Sequence, residues 1–596
     1  MKGAAGDDTF IGGNGAADTT GPADQIDGGA GVDTFKFYGG LITGTMPTLK
    51  NVENLYFNAT NGTLNAATIA GVESVEIENA GGAHTVTLGA DQKLALTNIN
   101  GATATTVQGT TAGGITLNNV VDKSVTPNVA QALNINTRDT SLTLNAVNAA
   151  SNVTLLSTST TAAAADMAAL TKLTVTGDAK LTVTAGGAGN YTNLTTVDAS
   201  ANTGGVDFRQ IQDTNLEFTG GTGNDRVQVA AAVIVAQDKL DGGEGKDTLA
   251  ISNGGLTAPA VVNVKNFEVL EVRGTVTQDA SVFDANNTWE GLVVQNLGAA
   301  QVASVTNLAA TAKDGIVVNH SGAVGNTVTL ATTVKGFLAG GTSDSATVTV
   351  NASAAGSVLN LSFDNVDVLN LVSNAAVAGN TNVINLTTTD VEKVVVTGNT
   401  ATTVTPGATT LGITEVDASG LVVANGAAAG LTFIQAAAAP QSLLVTGSNG
   451  LDAITVTSAK GTVVANGGND TINFSTAATA LGDQSVNLSA KDFVAGGALN
   501  VTVQAGSAGS AVINFSSDIE NLLKIGGVNL GTTTADQTVG AVINGQNNVA
   551  ISGGVLQFDV NGDGAFNAAD DFSITLTGVN TNISYNAAND FFVLVS

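Results

Sequence analysis

One stretch of the sequence places aspartate and glycine at a spacing that suits the binding of a hard cation. Residues 242–250 read GGEGKDTLA and follow the pattern G-G-x-G-x-D-x-U-x, in which U is an apolar residue. The glycines allow a turn tight enough to point backbone carbonyl oxygens inward, and Asp247 adds a carboxylate. Calcium accepts about six to eight such oxygens, so the stretch predicts half of a calcium site that an adjacent turn completes.

Related nonapeptide turns recur along the chain. Further copies lie at residues 3–11, 28–35 and 220–227, and weaker copies lie at residues 447–452 and 466–474. Several good copies in one chain favour calcium binding over the alternative, which is a set of ordinary glycine-rich β-turns.

The spacing between aspartates supports the stacking of neighbouring turns. Asp33 follows Asp24 by nine residues, and Asp247 follows Asp238 by the same interval. The predicted ligands are turn glycines, turn aspartates and the two aspartates of each preceding D-x-U segment. These segments are residues 24–27, DQID, and residues 238–241, DKLD, in which an aspartate, any residue and an apolar residue are followed by a second aspartate. In full, the predicted ligands are Gly6, Asp8, Asp24, Asp27, Gly29, Gly31, Asp33, Gly221, Gly223, Asp225, Asp238, Asp241, Gly243, Gly245, Asp247, Gly450, Asp452, Gly468 and Asp470.

A different calcium loop is predicted near the C-terminus, where residues 559–570 read DVNGDGAFNAAD. Gly564 would take the sharp bend of an EF-hand-like loop, and the residue at position 12 is aspartate instead of the usual glutamate, as in dockerin-like loops. The predicted ligands are Asp559, Asn561, Asp563, the carbonyl of Ala565, Asn567 and Asp570. A solvated acidic turn is the alternative.

Composition limits the class of protein. The chain has 596 residues, of which 43% are hydrophobic, 12% charged and 4% aromatic. This excludes a disordered chain and predicts a thin core of β-branched and small side chains. The net charge of −29 argues against nucleic acid and anionic membranes as partners and favours cations. No run of 18 apolar residues occurs, so no membrane-spanning helix is expected.

Short alternating segments such as residues 172–185, KLTVTGDAKLTVTA, predict half-buried strands. A second repeat, which reads apolar, acidic, x, apolar, x, apolar, recurs from residues 49–59 to residues 516–527 at irregular multiples of about twenty. These features predict an all-β protein of right-handed parallel β-solenoid or β-roll segments, with one short helix over 161–172. A set of β-sandwiches is the alternative.

The motifs divide the chain into six predicted segments. Calcium-binding segments would span 1–40 and 206–255, with a degenerate one at 441–500. Two β-solenoid arms would span 41–205 and 256–440. A C-terminal β region with the EF-hand-like loop would span 501–596.

The nonapeptides resemble those of the RTX (repeats-in-toxin) family. Their arrangement is similar to that of calcium-dependent surface-layer (S-layer) proteins of the Caulobacter type, notably in GDDTFIGG, EFTGGTGNDRVQV followed by LDGGEGKDTL, and VEKVVVTGNTATTV. The resemblance covers most of residues 1–500 and weakens beyond them. It implies a secreted, cell-surface, two-dimensional lattice of copies of the chain, assembled through Ca²⁺. We expect export in the unfolded state, followed by folding in external calcium.

Two further expectations follow from this resemblance. The family's polysaccharide-anchoring domain is not visible, so attachment to cell-surface polysaccharide is expected to use a region outside this sequence. The last residues, NAANDFFVLVS, resemble an uncleaved type I secretion signal, although a final edge strand is the plainer interpretation.

The sequence gives less support to other functional classes. The chain has no cysteine and only two histidines, His84 and His320, which we expect to be ordinary surface residues. Neither H-E-x-x-H nor G-x-S-x-G occurs, so the sequence predicts no enzyme. A secreted RTX adhesin that binds a surface or receptor remains the alternative function.

Overall fold

The computed structural model is nearly all β, with 52% strand and 4% helix. Parallel coils stack into a β-solenoid of about 17 turns over the part of the chain that the structure describes, which confirms the predicted fold class. The described residues are 1–14, 20–80, 82–99, 105–110, 113–121, 131–137, 141–156, 170–185, 193–209, 215–295, 300–320, 327–338, 343–352, 358–375, 380–387, 390–407, 412–424, 429–435, 442–458, 460–476, 480–504, 511–579 and 583–594.

The chain forms two compact units. The first contains residues 1–271 and 282–289, and the second contains residues 272–281 and 290–596. The division into six segments stays a prediction.

The strands up to residue 273 are short and follow one another at intervals of about one half-coil. They are β1 (Thr9–Asn14), β2 (Gln25–Asp27), β3 (Thr34–Tyr38), β4 (Thr48–Lys50), β5 (Asn54–Asn58), β6 (Gly62–Asn65), β7 (Ser74–Glu78), β8 (His84–Leu88), β9 (Lys93–Thr97), β10 (Thr105–Gly109), β11 (Ile115–Asn118), β12 (Gln131–Thr137), β13 (Ser141–Ala146), β14 (Ser151–Leu156), β15 (Lys172–Gly177), β16 (Leu181–Ala185), β17 (Thr196–Asn202), β18 (Val206–Arg209), β19 (Glu217–Thr219), β20 (Arg226–Ala230), β21 (Lys239–Asp241), β22 (Thr248–Ser252), β23 (Val264–Lys265) and β24 (Val269–Arg273).

The later strands include several of eight residues. They are β25 (Val276–Asp279), β26 (Gly291–Gln295), β27 (Gln301–Leu308), β28 (Ile316–His320), β29 (Thr327–Val334), β30 (Ser345–Ala352), β31 (Val358–Asp364), β32 (Val368–Ala375), β33 (Asn382–Leu386), β34 (Lys393–Gly398), β35 (Thr402–Pro406), β36 (Glu415–Leu421), β37 (Ala429–Ile434), β38 (Leu443–Thr446), β39 (Leu451–Val456), β40 (Gly461–Val464), β41 (Thr471–Phe474), β42 (Gln484–Leu488), β43 (Ala498–Val503), β44 (Ala511–Phe515), β45 (Lys524–Ile525), β46 (Val528–Asn529), β47 (Gln537–Thr538), β48 (Val549–Ser552), β49 (Val555–Phe558), β50 (Phe572–Thr577), β51 (Ser584–Asn586) and β52 (Phe591–Leu594).

Successive strands alternate between two parallel sheets. In the first unit, odd-numbered strands β1 to β23 form one sheet and even-numbered strands β6 to β22 form the other, while β2 pairs with β4. In the second unit, even-numbered strands β26 to β44 form one sheet and odd-numbered strands β25 to β43 form the other, which continues into β50, β49 and β48. Each coil therefore contributes one strand to each sheet.

The period-two sequence pattern produces the core. In β29, Val328, Leu330, Thr332 and Val334 are buried, and Thr327, Thr329, Ala331 and Thr333 alternate with them and face outward. Inward side chains stack on their register partners in the next coil, as Leu330 does on Leu361. Asparagine serves the corners, because it tolerates the left-handed backbone conformation better than most residues. Asparagines with positive φ are Asn51, Asn79, Asn98, Asn119, Asn148, Asn215, Asn253, Asn266, Asn307, Asn365 and Asn466.

Aromatic residues gather where the solenoid ends. Phe493, Phe515, Phe558 and Phe572 lie with ring centroids 4.5 to 5.8 Å apart. Antiparallel strands cover the last coil around them: β52 pairs with β44 and with β51. The C-terminal strand is therefore real, but the prediction that it forms an edge was wrong, because it lies between two partners.

Helix is scarce. The single α-helix among the described residues is Ser517–Glu520, and 3₁₀ turns span Ala66–Thr68, Ala280–Phe283, Ala310–Ala312 and Leu530–Thr532. Most of the helix predicted over 161–172 lies outside the described residues, and Lys172 begins β15. In the described part of the chain, no helix has the length and apolar character needed to cross a membrane.

The aromatic cluster predicts a matched pair of stability measurements. Phe558→Ala removes a fully buried ring and should destabilise the fold by about 3–5 kcal/mol, since the cavity cannot close. Val560→Ala, at a position 42% exposed, should change stability by less than about 0.5 kcal/mol. Urea denaturation measures both. Equal midpoints for the two variants would show that the cluster does not stabilise the C-terminal coils.

Candidate metal centre

The structure stacks the predicted nonapeptide turns in pairs. Turn 3–8 lies against turn 28–33, turn 220–225 against turn 242–247, and turn 447–452 against the turn that ends at Asp470. Glycine is required at the contacts, since a Cβ on Gly245 would lie 2.5 Å from the carbonyl oxygen of Gly223. The same contact recurs between Gly31 and Gly6, at 2.5 Å, and between Gly468 and Gly450, at 2.0 Å.

The two aspartates of each stack are linked by one repeated hydrogen bond. The backbone N–H of Asp225 donates to Oδ1 of Asp247 over 2.7 Å. The equivalent bonds run from Asp8 N to Asp33 Oδ1, at 2.7 Å, and from Asp452 N to Asp470 Oδ1, at 2.9 Å. The sequence spacing predicted pairs nine residues apart, between Asp24 and Asp33 and between Asp238 and Asp247, and both were wrong, because the stacked partner lies one whole coil earlier, 25 and 22 residues away. The third predicted pair, Asp452 and Asp470, is found.

The second aspartate of each stack has an unused oxygen. Asp33, Asp247 and Asp470 are each 0% exposed, and the buried Oδ2 atom of each has no hydrogen-bond partner among the described residues. Burial raises the pKa of Asp247 to about 8, and the negative charges of Asp225 and Glu268 add to the effect. Burial also raises the pKa of Asp470 to about 9, with Asp452 and Asp492 contributing. A bound cation would supply the missing counter-charge.

The first aspartate of each stack is satisfied within the protein. Asp225 accepts from the backbone N–H groups of Val206, at 2.5 Å, and Gly221, at 2.7 Å. Asp452 accepts from Leu431 and from Ser448, at 2.6–2.7 Å. Burial raises the pKa of both aspartates to about 6. In the third stack, Asp8 Oδ2 accepts from Ala4 N at 2.8 Å.

A third carboxylate lies beside each stack, and nonapeptide spacing did not reveal it. Glu53 Oε2 accepts from Asp33 N at 2.7 Å, and Glu268 Oε2 accepts from Asp247 N at 2.8 Å. Both glutamates are the acidic residue of the second repeat. Beside the last stack, Asp492 Oδ1 accepts from Gly467 N at 2.7 Å. The acidic position of the second repeat therefore has a structural role, which is to accept a backbone N–H of the preceding coil.

The aspartates of the D-x-U segments have partners of their own. Asp27 and Asp241 accept from Asn51 and Asn266, each at 2.7 Å. Burial of Asp241 favours its neutral form, but its hydrogen bonds with Lys265 and Asn266 prevail and lower its pKa.

The remaining two D-x-U aspartates cap turns. Asp238 accepts from Leu216 N and Val235 N, at 2.6 and 2.8 Å, and Asp24 accepts from Gly21 N at 2.8 Å.

The EF-hand-like loop is folded as a compact acidic turn. Asp559 accepts from the N–H groups of Gly562 and Gly564, at 2.6 and 2.9 Å. The fully buried Asp571 closes the loop by accepting from Val560 N, at 3.0 Å, and Asn567 N, at 2.8 Å. The other predicted side-chain ligands of this loop take part in more exposed hydrogen bonds. Asn567 Nδ2 donates to Asp570 Oδ2 at 2.7 Å. Asp563 accepts from the N–H of Ala565 and from the side chain of Asn561.

The turns offer oxygen donors only. Carboxylates and crowded backbone carbonyls suit calcium, which takes about six to eight oxygens, and offer nothing to metals that prefer nitrogen or sulfur. Within the described ranges, no three side chains of histidine, cysteine, aspartate or glutamate converge as a metal-binding group. Each stack therefore offers one free carboxylate oxygen and neighbouring backbone carbonyls, which are ligands of the type that calcium accepts.

Comparison of the sequence with protein-family models and with curated proteins found no match. The fold is a parallel β-solenoid, and acidic glycine turns stack in pairs within it.

Both histidines are buried, so their expected surface location was wrong. His84 is 1% exposed, its Nε2 lies 3.0 Å from Thr60 Oγ1, and burial lowers its pKa to about 4. His320 is 2% exposed. Each shares a strand face with inward apolar residues, as His84 does with Val86, so alternation places it inside.

The turn stacking can be tested with two glycines of similar backbone conformation. Gly243 has φ +98°, and a Cβ would lie 2.4 Å from the Gly221 carbonyl oxygen, whereas Gly40 has φ +77° and open space around it. Gly40→Ala should lose about 1–2 kcal/mol from the left-handed backbone alone. Gly243→Ala should lose clearly more, as measured by urea denaturation. Equal losses would contradict the close turn contact.

The buried carboxyls predict that the stability of protein dialysed free of calcium depends on pH. The pKa of Asp247 is about 8 in the folded chain and about 3.9 in the unfolded chain. Its contribution to the stability of the fold is therefore complete below pH 4 and decreases as the pH rises from 4 to 8. Asp247→Asn cannot ionise, so its stability relative to wild type should grow between pH 5 and pH 8. Asp178→Asn, at an exposed carboxylate, is the control. A constant difference across this range would show that Asp247 is not held neutral.

Proposed function

We propose that this chain is a secreted structural protein of the cell surface that folds around calcium and assembles with copies of itself into an S-layer lattice. The observation that carries the proposal is the set of fully buried Oδ2 atoms of Asp33, Asp247 and Asp470, which have no hydrogen-bond partner in the described structure. A buried carboxylate without a counter-charge is unstable in its ionised form, and a cation removes that penalty.

Calcium would be held by these aspartates together with carbonyl oxygens of the stacked turns. A Cβ on Gly242 would lie 2.7 Å from Asp247 Oδ2 and 1.9 Å from the Asn266 carbonyl oxygen, so both oxygens crowd the same glycine. The ion must displace the proton that the buried carboxyl otherwise retains, so calcium affinity rises with pH. The EF-hand-like loop, with Asp559 and Asp563, is a further candidate.

Calcium would make folding conditional on location. A site at tenfold above its dissociation constant stabilises the fold by about 1.4 kcal/mol, and sites in the ~10⁻⁴–10⁻³ M range fill only outside the cell. Several such sites in one solenoid would therefore separate an unfolded exported chain from a folded extracellular one.

A structural role fits the uniform architecture better than catalysis. The same strand–turn–strand coil repeats along the described chain, and the sequence contains no catalytic motif to place in it. We propose that the protein is not an enzyme, that its main partner is itself, and that attachment to surface polysaccharide uses a region outside this sequence. The last residues, 586–596, would serve as a type I secretion signal before the antiparallel strands β51 and β52 form.

The test combines calcium titration with microscopy. Far-UV circular dichroism should show strand structure that increases in millimolar calcium and decreases in EGTA, and negative-stain images of the calcium-loaded protein should show sheets with a regular lattice. Asp247→Asn keeps an acceptor for Asp225 N but lacks the charge. The substitution should weaken calcium binding at that stack by at least about tenfold. Replacing a residue that only hydrogen-bonds to a metal ligand typically costs about ten- to a hundredfold in metal affinity.

Asp178→Asn is the matched control and should bind calcium like the wild type. Strand structure that is unchanged by chelation would overturn calcium-dependent folding. If the calcium-loaded protein remains as isolated rods, the lattice function is overturned and the adhesin function takes its place.

A further inference from the structure

One sheet face of the second unit is almost free of charge. We call it the neutral face: the outward side chains of the odd-numbered strands β27 to β43 and of β50, which form one continuous sheet. Its residues are threonine, asparagine, serine and apolar side chains, including the exposed Val302 and Ile434, that alternate with the buried core. Among the described residues of these strands, Asp364 at the end of β31 is the only charged side chain on this face.

The polar side chains of the neutral face are tied to one another. Thr329, Asn360, Asn385 and Thr405 are register partners on four successive strands. Asn385 Nδ2 donates to Asn360 Oδ1 at 2.9 Å, and Asn360 Nδ2 donates to Thr329 Oγ1 at 3.3 Å. These side chains are held in an ordered row, so little conformational entropy remains to be lost when another surface covers them.

Other sheet faces carry charge. On the opposite sheet of the same unit, Lys393 pairs with Glu415 at 2.7 Å, and Asp417 lies on the next outward position of β36. In the first unit, the outward positions of β3 and β7 include Lys36, Glu76 and Glu78. The charges of the opposite sheet lie on the adjacent strands β34 and β36 and interrupt its outward face, whereas the described residues of the neutral face continue over ten strands with Asp364 as their one charge.

We propose that the neutral face is the surface on which a second copy of this chain packs, sheet against sheet. This inference rests on the proposed lattice function and names one of its contacts. Two subunits of charge −29 repel each other least when uncharged surfaces face each other, because like charges in direct apposition disfavour association.

The size of the neutral face suits such a contact. Ten strands about 4.8 Å apart and about five residues wide cover on the order of 700 Å². A stable interface buries about 800 Å² per partner, so the face can account for most of one. Its threonine and asparagine side chains both donate and accept hydrogen bonds, so the face can pair with its own copy without leaving polar groups unsatisfied.

The first test places charge on the neutral face. The double variant Thr403→Glu, Thr455→Glu should raise the protein concentration needed for assembly in calcium by at least about tenfold, because like charges would face each other. The control is the double variant Thr349→Glu, Thr462→Glu, which adds the same charge to the opposite sheet. Thr462 accepts a hydrogen bond from Ser485, and a glutamate at this position keeps an oxygen acceptor. Circular dichroism in calcium verifies folding of all three proteins, and sedimentation measures assembly.

The outcomes separate this inference from the proposed function. If the neutral-face variant assembles like wild type, the inference is overturned, the lattice function stands, and the face is open to another occupant such as surface polysaccharide. Equal loss of assembly in the control would also overturn it, because the effect would then be one of added charge anywhere. If wild type does not associate in calcium, both the function and the inference are overturned.

A second test does not depend on loss of assembly. The chain has no cysteine, so a single Thr432→Cys at the centre of the neutral face reports its surroundings alone. Packed sheets lie about 10 Å apart, within reach of a short bismaleimide, so calcium-loaded protein should form cross-linked dimers. Thr349→Cys on the opposite sheet should remain monomeric on denaturing gels. Absence of the Thr432→Cys dimer in assembled protein would overturn face-to-face packing.

Discussion

The structure depends on one hydrogen bond, which joins a carboxylate at the turn of one coil to a backbone N–H in the coil before it. Strand ladders satisfy the backbone along the sheets, but they stop at the corners, where a buried N–H without a partner is unfavourable. Asp247 supplies the acceptor for Asp225, and Glu268 supplies the next one for Asp247. Asp367 does the same for Asp344, far from any nonapeptide, at 2.8 Å. Acidic side chains therefore continue the ladder through the turns.

This arrangement explains why the glycine turns and the acidic second repeat occur in one chain. An acidic residue that accepts a backbone N–H at an open corner can keep its other oxygen in solvent. Where glycines bring two turns into contact, the second aspartate is fully enclosed, and its free oxygen loses water without gaining a partner. The two repeats use the same hydrogen bond, and only the closed version leaves a buried carboxyl oxygen without a partner.

Sequence predicts the local parts of this fold and misses the parts that depend on distant partners. Alternation gave the strands, and it would also have placed His84 and His320 inside, since each falls in phase with buried valines. The glycine spacing identified the turns whose aspartates stack, but it did not identify which turns stack on each other, because the partner lies one coil away. The role of Glu268 could not be predicted, because its partner is an N–H one coil earlier and the coils vary in length. Likewise, β52 lies between β44 and β51 through antiparallel pairings that no local pattern encodes.

The proposals together assign calcium a different task from that of a bridge between subunits. The oxygens of Asp33, Asp247 and Asp470 are enclosed, so ions held there would neutralise interior charge and leave the outer surface acidic. Contact between copies then needs a surface without charge. The neutral face is such a surface, and it forms only when the coils that contribute its ten strands are stacked in register. Calcium that stabilises the stacking would thereby create the contact surface. Assembly would respond to calcium through folding, because the face does not exist in the unfolded chain.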